Sequence, residues 1–152
     1  MKENKADKRR CVVVVREREG NTTSMVFRTE TEANAWIKRQ VDPATVIHAD
    51  EAPSWNPLHA RFDVRRIDHG AAHSWNGACT NQAESFFSRL RRAEQGHNDW
   101  ISGLYLLRYA QEASWRENHR RRSNGWQVKR VAGNALASKP SVDFTGYWQC
   151  SA

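Results

Sequence analysis

Cysteines are scarce in this sequence, and no two stand close together. Cys11, Cys79 and Cys150 are the only three in 152 residues. A structural zinc site draws on a CxxC-like pair, so none is expected. An odd, scattered set fits thiols packed as small core residues in a reducing compartment. Long apolar runs are missing as well. The longest, "CVVVV" at 11–15, falls far short of the ~20 residues of a membrane-spanning helix. It also cannot serve as the apolar core of a signal peptide, although the basic "MKENKADKRR" precedes it. There is no internal repeat and no low-complexity segment. The chain is therefore expected to be soluble and intracellular. Acids are in deficit, with 17 Asp+Glu against 24 Lys+Arg and a net charge of +7. Such a surplus calls for an anionic partner, of which nucleic acid is the commonest.

What is present argues for a packed globule. Hydrophobic residues make up 39% and aromatic residues 10%, with seven Trp, well above the composition of disordered chains. The length suits a single domain over 1–152. "CVVVV" is apolar on both faces and predicts a strand inside a covered sheet. A turn at Gly20-Asn21 and "TTSMVF" then complete a hairpin over 11–28. "TETEANAWIKRQV" predicts a helix opened by a Thr29–Glu32 capping box, with Ala33, Trp36, Ile37 and Val41 on one face. "TVIHAD" at 45–50 is a short strand that stops at an acid, "SWNPLHARF" has helical spacing of Trp55, Leu58 and Phe62, and "VRRIDH" at 64–69 reads as an edge strand. From 81 the chain is helical, breaks near Gly96, and resumes over about 99–121, with Asn124-Gly125 as the stop signal. The tail beyond shows no periodicity. The order is a mixed α/β domain: a charged segment 1–10, a sheet-bearing core 11–92, and a basic helix with its tail over 97–152.

Two carboxylates stand out. Asp50 closes an apolar strand, the usual place for functional groups in α/β sheets. Glu84 opens the helix of "ACTNQAESFFSRLRR" at 78–92. Acids from a strand end and a helix are what a two-metal phosphoryl-transfer site needs, with hard Mg²⁺ or Mn²⁺ taking oxygen ligands and clamping the attacking and leaving oxygens. Each acid also has a local explanation. Asn81 as N-cap with Glu84 three residues on is an Asn form of the capping box, and an acid there complements the helix dipole. Asp50 could simply precede a turn.

The surroundings are basic. Phe86, Phe87 and Leu90 form an apolar stripe, while Arg89, Arg91 and Arg92 crowd the rest of that helix. Further on, Glu112–Arg116 and Glu117–Arg121 stand at i, i+4, pairs that each stabilise a helix by about 0.3–0.5 kcal/mol. That spacing leaves Arg120, Arg121 and Arg122 beside His119 unexplained, and a run of guanidiniums suits backbone phosphates. Among the histidines, His48, His69 and His73 are nearest the acids, and His69 closes the short strand facing the proposed site.

Taken in order, "RRCVVVVRERE", "TVIHADEAPSWNPLHARF", "RRIDHGAAHSWNGACTNQAESFFSRLRRAEQG", "YLLRYAQEASWRENHRRRSNG" and "GYWQ" resemble the C-terminal catalytic part of bacterial insertion-sequence transposases of the ISXO-type group. The resemblance implies a DDE recombinase on a ribonuclease-H-like fold, acting in the bacterial cytoplasm at the nucleoid. It implies three acids, two Mg²⁺ or Mn²⁺ ions, and DNA strand cleavage followed by transfer. Its partners would be the element's ends, target DNA and a second copy of the chain. Carried onto this sequence, Asp50 matches the second acid and Glu84 the third, so that Glu84 caps its helix and binds metal too. Asn81 belongs to the accompanying TNxxE motif, and His69 stands where the family has a His. DNA contacts fall to Arg89, Arg91, Arg92, Arg116, Arg120, Arg121 and Arg122. The resemblance also places a first Asp on a central strand upstream of "CVVVV". Only "MKENKADKRR" stands there, and Asp7 lies in a charged, non-strand stretch. The expectation is a truncated domain without its first, central strand and its first acid, and without strand-transfer activity alone. A non-catalytic DNA-binding remnant is the alternative.

Overall fold

The computed structural model describes residues 10–67, 74–75, 78–96, 101, 103 and 105–140. The chain divides into two compact units, Met1–Asn118 and His119–Ala152. Asp7, His69 and His73, along with most of the C-terminal tail, lie outside the described residues.

The first unit is a mixed α/β arrangement, as expected. Strands β1 (Cys11–Arg16) and β2 (Thr22–Phe27) form an antiparallel hairpin in which Cys11 faces Phe27 and Arg16 faces Thr22. The turn sits earlier than Gly20-Asn21. Gly20 N–H donates to Glu17 O (3.1 Å), Glu17 N–H donates to Asn21 O (2.9 Å), and Glu19 takes the left-handed conformation at φ 62. Helix α1 (Ala33–Gln40) buries Ala33, Trp36 and Ile37 as its spacing predicts. Thr29 does not cap it. A turn intervenes over 29–32, Glu32 is the N-cap, and its carboxylate accepts from Arg28 N–H at 3.1 Å.

Strand β3 (Val46–Asp50) is followed by a 3-10 segment (Pro53–Leu58) where an α-helix was expected. Pro57 lies inside that segment, and a proline removes the donor an α-helix would need. Leu58 and Phe62 are nonetheless buried, so the apolar spacing found the core through a tighter coil. Strand β4 (Asp63–Ile67) runs parallel to β3, with Asp50 opposite Ile67. Two short strands, β5 (Ser74–Trp75) and β6 (Ala78–Cys79), make a third pair, and β6 lies beside both β3 and β4.

Among the described residues these are three separate two-stranded sheets. The hairpin does not pair with β3. One core joins the hairpin, α1 and the β3–β4 pair, containing Val13, Trp36, Ile37, Leu58, Phe62 and Val64, with Cys11, Val15, Met25, Phe27 and Ile47 packed around it. "CVVVV" is consequently less covered than its composition suggests: Val13 is buried, and its neighbours are half-buried. The other face of the hairpin meets helix α3 (Leu106–His119) through polar contacts. Ser114 Oγ donates to Ser24 Oγ at 2.8 Å. The Asn118 amide accepts from Thr22 N–H (2.7 Å) and donates to Thr22 O (3.0 Å). A side-chain amide thus satisfies strand groups that would otherwise stay open at an edge. Cys11 behaves as a packing thiol. It donates to Phe27 O, and burial, with help from nearby Glu30, pushes its pKa up.

Helix α2 (Asn81–Gly96) anchors through Phe86, 1% exposed and edge-on to Phe87. Phe86→Ala should cost about 3–5 kcal/mol through lost burial and the cavity left behind. Urea unfolding would measure it, and a loss below ~1 kcal/mol would mean the site collapses far more easily than a packed interior allows. In the second unit, α4 (Asn124–Ala137) occupies a stretch expected to be aperiodic. Asn124-Gly125 opens this helix and does not cap the previous one. Ser123 is the reason, because its side chain accepts from Trp126 N–H and starts a new helix one residue before the Asn-Gly signal. No helix among the described residues is long and apolar enough to cross a membrane.

Candidate active site

Asp50 lies at the carboxyl end of a parallel strand pair, where open α/β sheets bind ligands. It is exposed, but its carboxylate is tethered. Oδ1 accepts from the Trp55 indole N–H at 2.7 Å and from Ala52 N–H at 3.3 Å. The loop carrying these donors is tied back to β4, where Arg66 donates to Glu51 O (3.2 Å) and to Asn56 Oδ1 (2.7 Å). Sequence reading missed Trp55 and Arg66 in these roles. The visible signal was a Trp five residues beyond the acid, read only as a core residue. His48, two residues before Asp50 on β3, is partly buried. Burial, with Arg18 and Arg65 assisting, lowers its pKa from the ordinary histidine value.

Glu84 follows the sheet by a short path. β6 runs beside β3 and β4, and after Thr80 the chain enters α2. Thr80, not Asn81, stands at the cap position. Its carbonyl accepts the first helical hydrogen bonds, from Ala83 N–H (2.9 Å) and Glu84 N–H (3.1 Å). Its hydroxyl donates to Glu84 Oε1 at 3.0 Å. Glu84 is thus fixed from the side chain before the helix, one residue earlier than the capping box places it. Asn81 and Glu84 are both exposed. They line an open groove of about 400 Å³ along one face of α2, together with Ser85, Ser88, Arg89 and Arg92.

The arginines fall into distinct groups. Arg91 and Arg92 are exposed on α2. Arg89 meets Glu117 at 3.0 Å, and Arg116 donates to Glu112 at 2.7 and 2.9 Å. Glu117, the acid of the second i, i+4 spacing, is buried and holds Arg16 and Arg89. A sequence spacing sees only neighbours on one helix, and cannot see β1 and α2 packing there. Arg89, Arg92 and Arg116 also line a second groove of about 320 Å³ between α2 and α3, with Tyr109 and Glu112. Arg120, Arg121 and Arg122 belong to the other unit and are exposed. There Trp126 stacks on His119 (centroids 5.1 Å apart), and the Arg122 guanidinium lies 5.6 Å from the centre of the Trp126 ring.

Asp50 and Glu84 offer carboxylate oxygens, the donor type that Mg²⁺ and Mn²⁺ accept. Among the described residues, no group of three or more His, Cys, Asp or Glu side chains is gathered to hold a metal. The donor chemistry fits; the donor set visible here is a part of one. His69 cannot be placed, since it lies outside the described residues.

Fold and site together define a mixed α/β domain with two tethered, exposed carboxylates and arginine-lined grooves along one helix. The family follows from comparison: residues 1–118 match the ISXO2-like transposase domain, and the chain belongs to that family of insertion-sequence transposases. Membership points to a role in DNA transposition and to DNA as partner, in a family that generally uses divalent metals. The matched region coincides with the first compact unit, and α4 lies beyond it. No curated protein and no solved structure matches the chain.

Proposed function

We propose that this chain is the catalytic part of a DDE-type transposase that cleaves DNA strands and transfers them to a target, with Asp50 and Glu84 as two of its metal-binding carboxylates. The observation that carries this reading is the face of α2, where Glu84 shares one groove with Arg89 and Arg92. A site of that composition holds a cation and a polyanion side by side. A ribonuclease-H-like plan is supported by the order of elements: a hairpin, a helix, and a parallel pair whose first strand ends in Asp50.

Bound divalent ions would polarise the scissile phosphate and lower the pKa of the attacking water or 3′-hydroxyl. The protein's own groups prepare the place. Trp55 and Ala52 N–H fix Asp50 Oδ1, and Thr80 fixes Glu84 Oε1, so neither carboxylate has to be ordered when its ligand arrives. Arg91, Arg92, Arg121 and Arg122 supply phosphate contacts, with Arg120 beside them; Arg89 and Arg116, already paired with acids, line the second groove, between α2 and α3. Asn81 stands in the same groove as Glu84. His69 is assigned to the site by family resemblance, and a second copy of the chain is a proposed partner on DNA ends.

The test is nicking of supercoiled plasmid by the full chain with Mg²⁺ or Mn²⁺. The strand-transfer deficiency expected from the sequence concerns joining to a target, so the expected result for cleavage alone is metal-dependent nicking that EDTA abolishes. Plasmid left intact with either metal, at protein concentrations that saturate the DNA, would overturn the catalytic reading.

A further inference from the structure

Among the described residues Glu117 is the buried acid, and no role in chemistry is given to it above. It sits on α3 with its side chain 4% exposed. Two arginines from different elements meet its two oxygens: Arg16, at the end of β1, stands 2.8 Å from Oε1, and Arg89, on α2, stands 3.0 Å from Oε2. Arg16 does more than answer this charge. Its Nε donates to Gln82 Oε1 at 3.1 Å, and Gln82 lies in the first turn of α2, two residues before Glu84.

One buried carboxylate thus grips α2 at two places. It holds Arg89 directly and Gln82 through Arg16, seven residues apart and so about two turns along the helix. Two attachments at that spacing resist both axial rotation of α2 and fraying of its first turn. Rotation would turn the whole face that carries Glu84 and Arg92, since the residues lining their groove all belong to α2; fraying would release the Thr80–Glu84 hydrogen bond. Burying an ion pair is a poor route to stability by itself, because a well-packed apolar substitute does as well or better. Orientation of a neighbouring acid is a use that an apolar substitute cannot supply.

We infer that Glu117 is a positioning residue, which through Arg16–Gln82 and Arg89 sets the first turn of α2 and with it the Glu84 carboxylate. This rests on the reading of Glu84 as a metal-binding acid. Two measurements on the full chain test it: amide hydrogen exchange by mass spectrometry, and Mn²⁺ binding by electron paramagnetic resonance without DNA. Glu117→Gln should speed exchange in peptides over 80–86 by about tenfold while leaving α1 unchanged. It should also weaken Mn²⁺ binding about 10–100-fold, the range for groups that orient a metal ligand. Gln82→Ala, an exposed change at the far end of the relay, should give a smaller shift of the same kind. The double variant should add little to Glu117→Gln alone, because both changes break one chain of contacts.

Unchanged exchange over 80–86 in both variants overturns the inference. So does a uniform rise across the unit, which would mark Glu117 as merely structural, or full additivity in the double variant. If Glu117→Gln fails to fold, Gln82→Ala decides alone: faster exchange at the first turn upholds the relay, and no change ends it. Glu84→Gln separates the two readings. If it leaves Mn²⁺ binding intact, the metal reading of Glu84 fails, while exchange over 80–86 still tells whether Glu117 sets the turn.

Discussion

DNA binding by this chain should weaken about 10²–10³-fold between ~50 and ~200 mM salt, with little preference for sequence. The estimate comes from counting cations that are placed to meet phosphates. Seven arginines cluster in the sequence, but Arg89 is committed to Glu117 and Arg116 to Glu112. Arg91, Arg92, Arg121 and Arg122 are exposed, while Arg120 already has a contact of its own. Four phosphate contacts give a slope of about −3.6 in log affinity against log salt, and a fourfold rise in salt then costs roughly 150-fold. Arg91→Ala and Arg92→Ala should each reduce the slope by about one, weakening binding alike on every sequence. Glu112→Gln should do the reverse, by freeing Arg116 for a phosphate. A titration with a slope near zero, or no binding at low salt, would remove DNA as the partner of these arginines.

The second large effect concerns chemistry. Glu84→Gln and Asp50→Asn should each lower metal-dependent nicking by about 10³-fold or more, since losing several kcal/mol of transition-state charge stabilisation is a loss of that size. Both substitutions keep shape and hydrogen-bonding reach, and both side chains are exposed, so stability should change little. DNA affinity should rise slightly or stay level, because an acid beside phosphates is removed. That combination separates a catalytic carboxylate from a capping one. Were Glu84 only a helix cap, Glu84→Gln would cost a fraction of a kcal/mol in stability and leave nicking intact.

How much of this was written in the sequence depends on the range of each interaction. Period-2 and period-3.6 spacing found β1, β2, β3, α1 and α2, because the apolar residues that define them are close together in the chain. The parallel pairing of β3 with β4 was not legible, since an edge and an interior strand of five residues look alike until a partner is known. Ser123 and Asn124-Gly125 show the limits of local signals. The same Asn-Gly pair can stop a helix or lie in the first turn of one, and the Ser123 cap decides between them. At the site, Asp50 and Glu84 could be named from a strand end and a helix start. Their tethers could not: Trp55 reaches Asp50 through a loop whose shape Pro53, Pro57 and Arg66 set, and Glu117 meets Arg16 across a hundred residues of chain.

The central claim is that Asp50 and Glu84 serve one divalent ion, and diffraction from a crystal soaked in Mn²⁺ tests it most directly. The account predicts an anomalous peak within about 2.0–2.6 Å of a carboxylate oxygen from each residue, lost from crystals of the Glu84→Gln variant. Carboxyl groups more than ~10 Å apart, with no peak between them, would contradict a shared site whose ions stand about 4 Å apart.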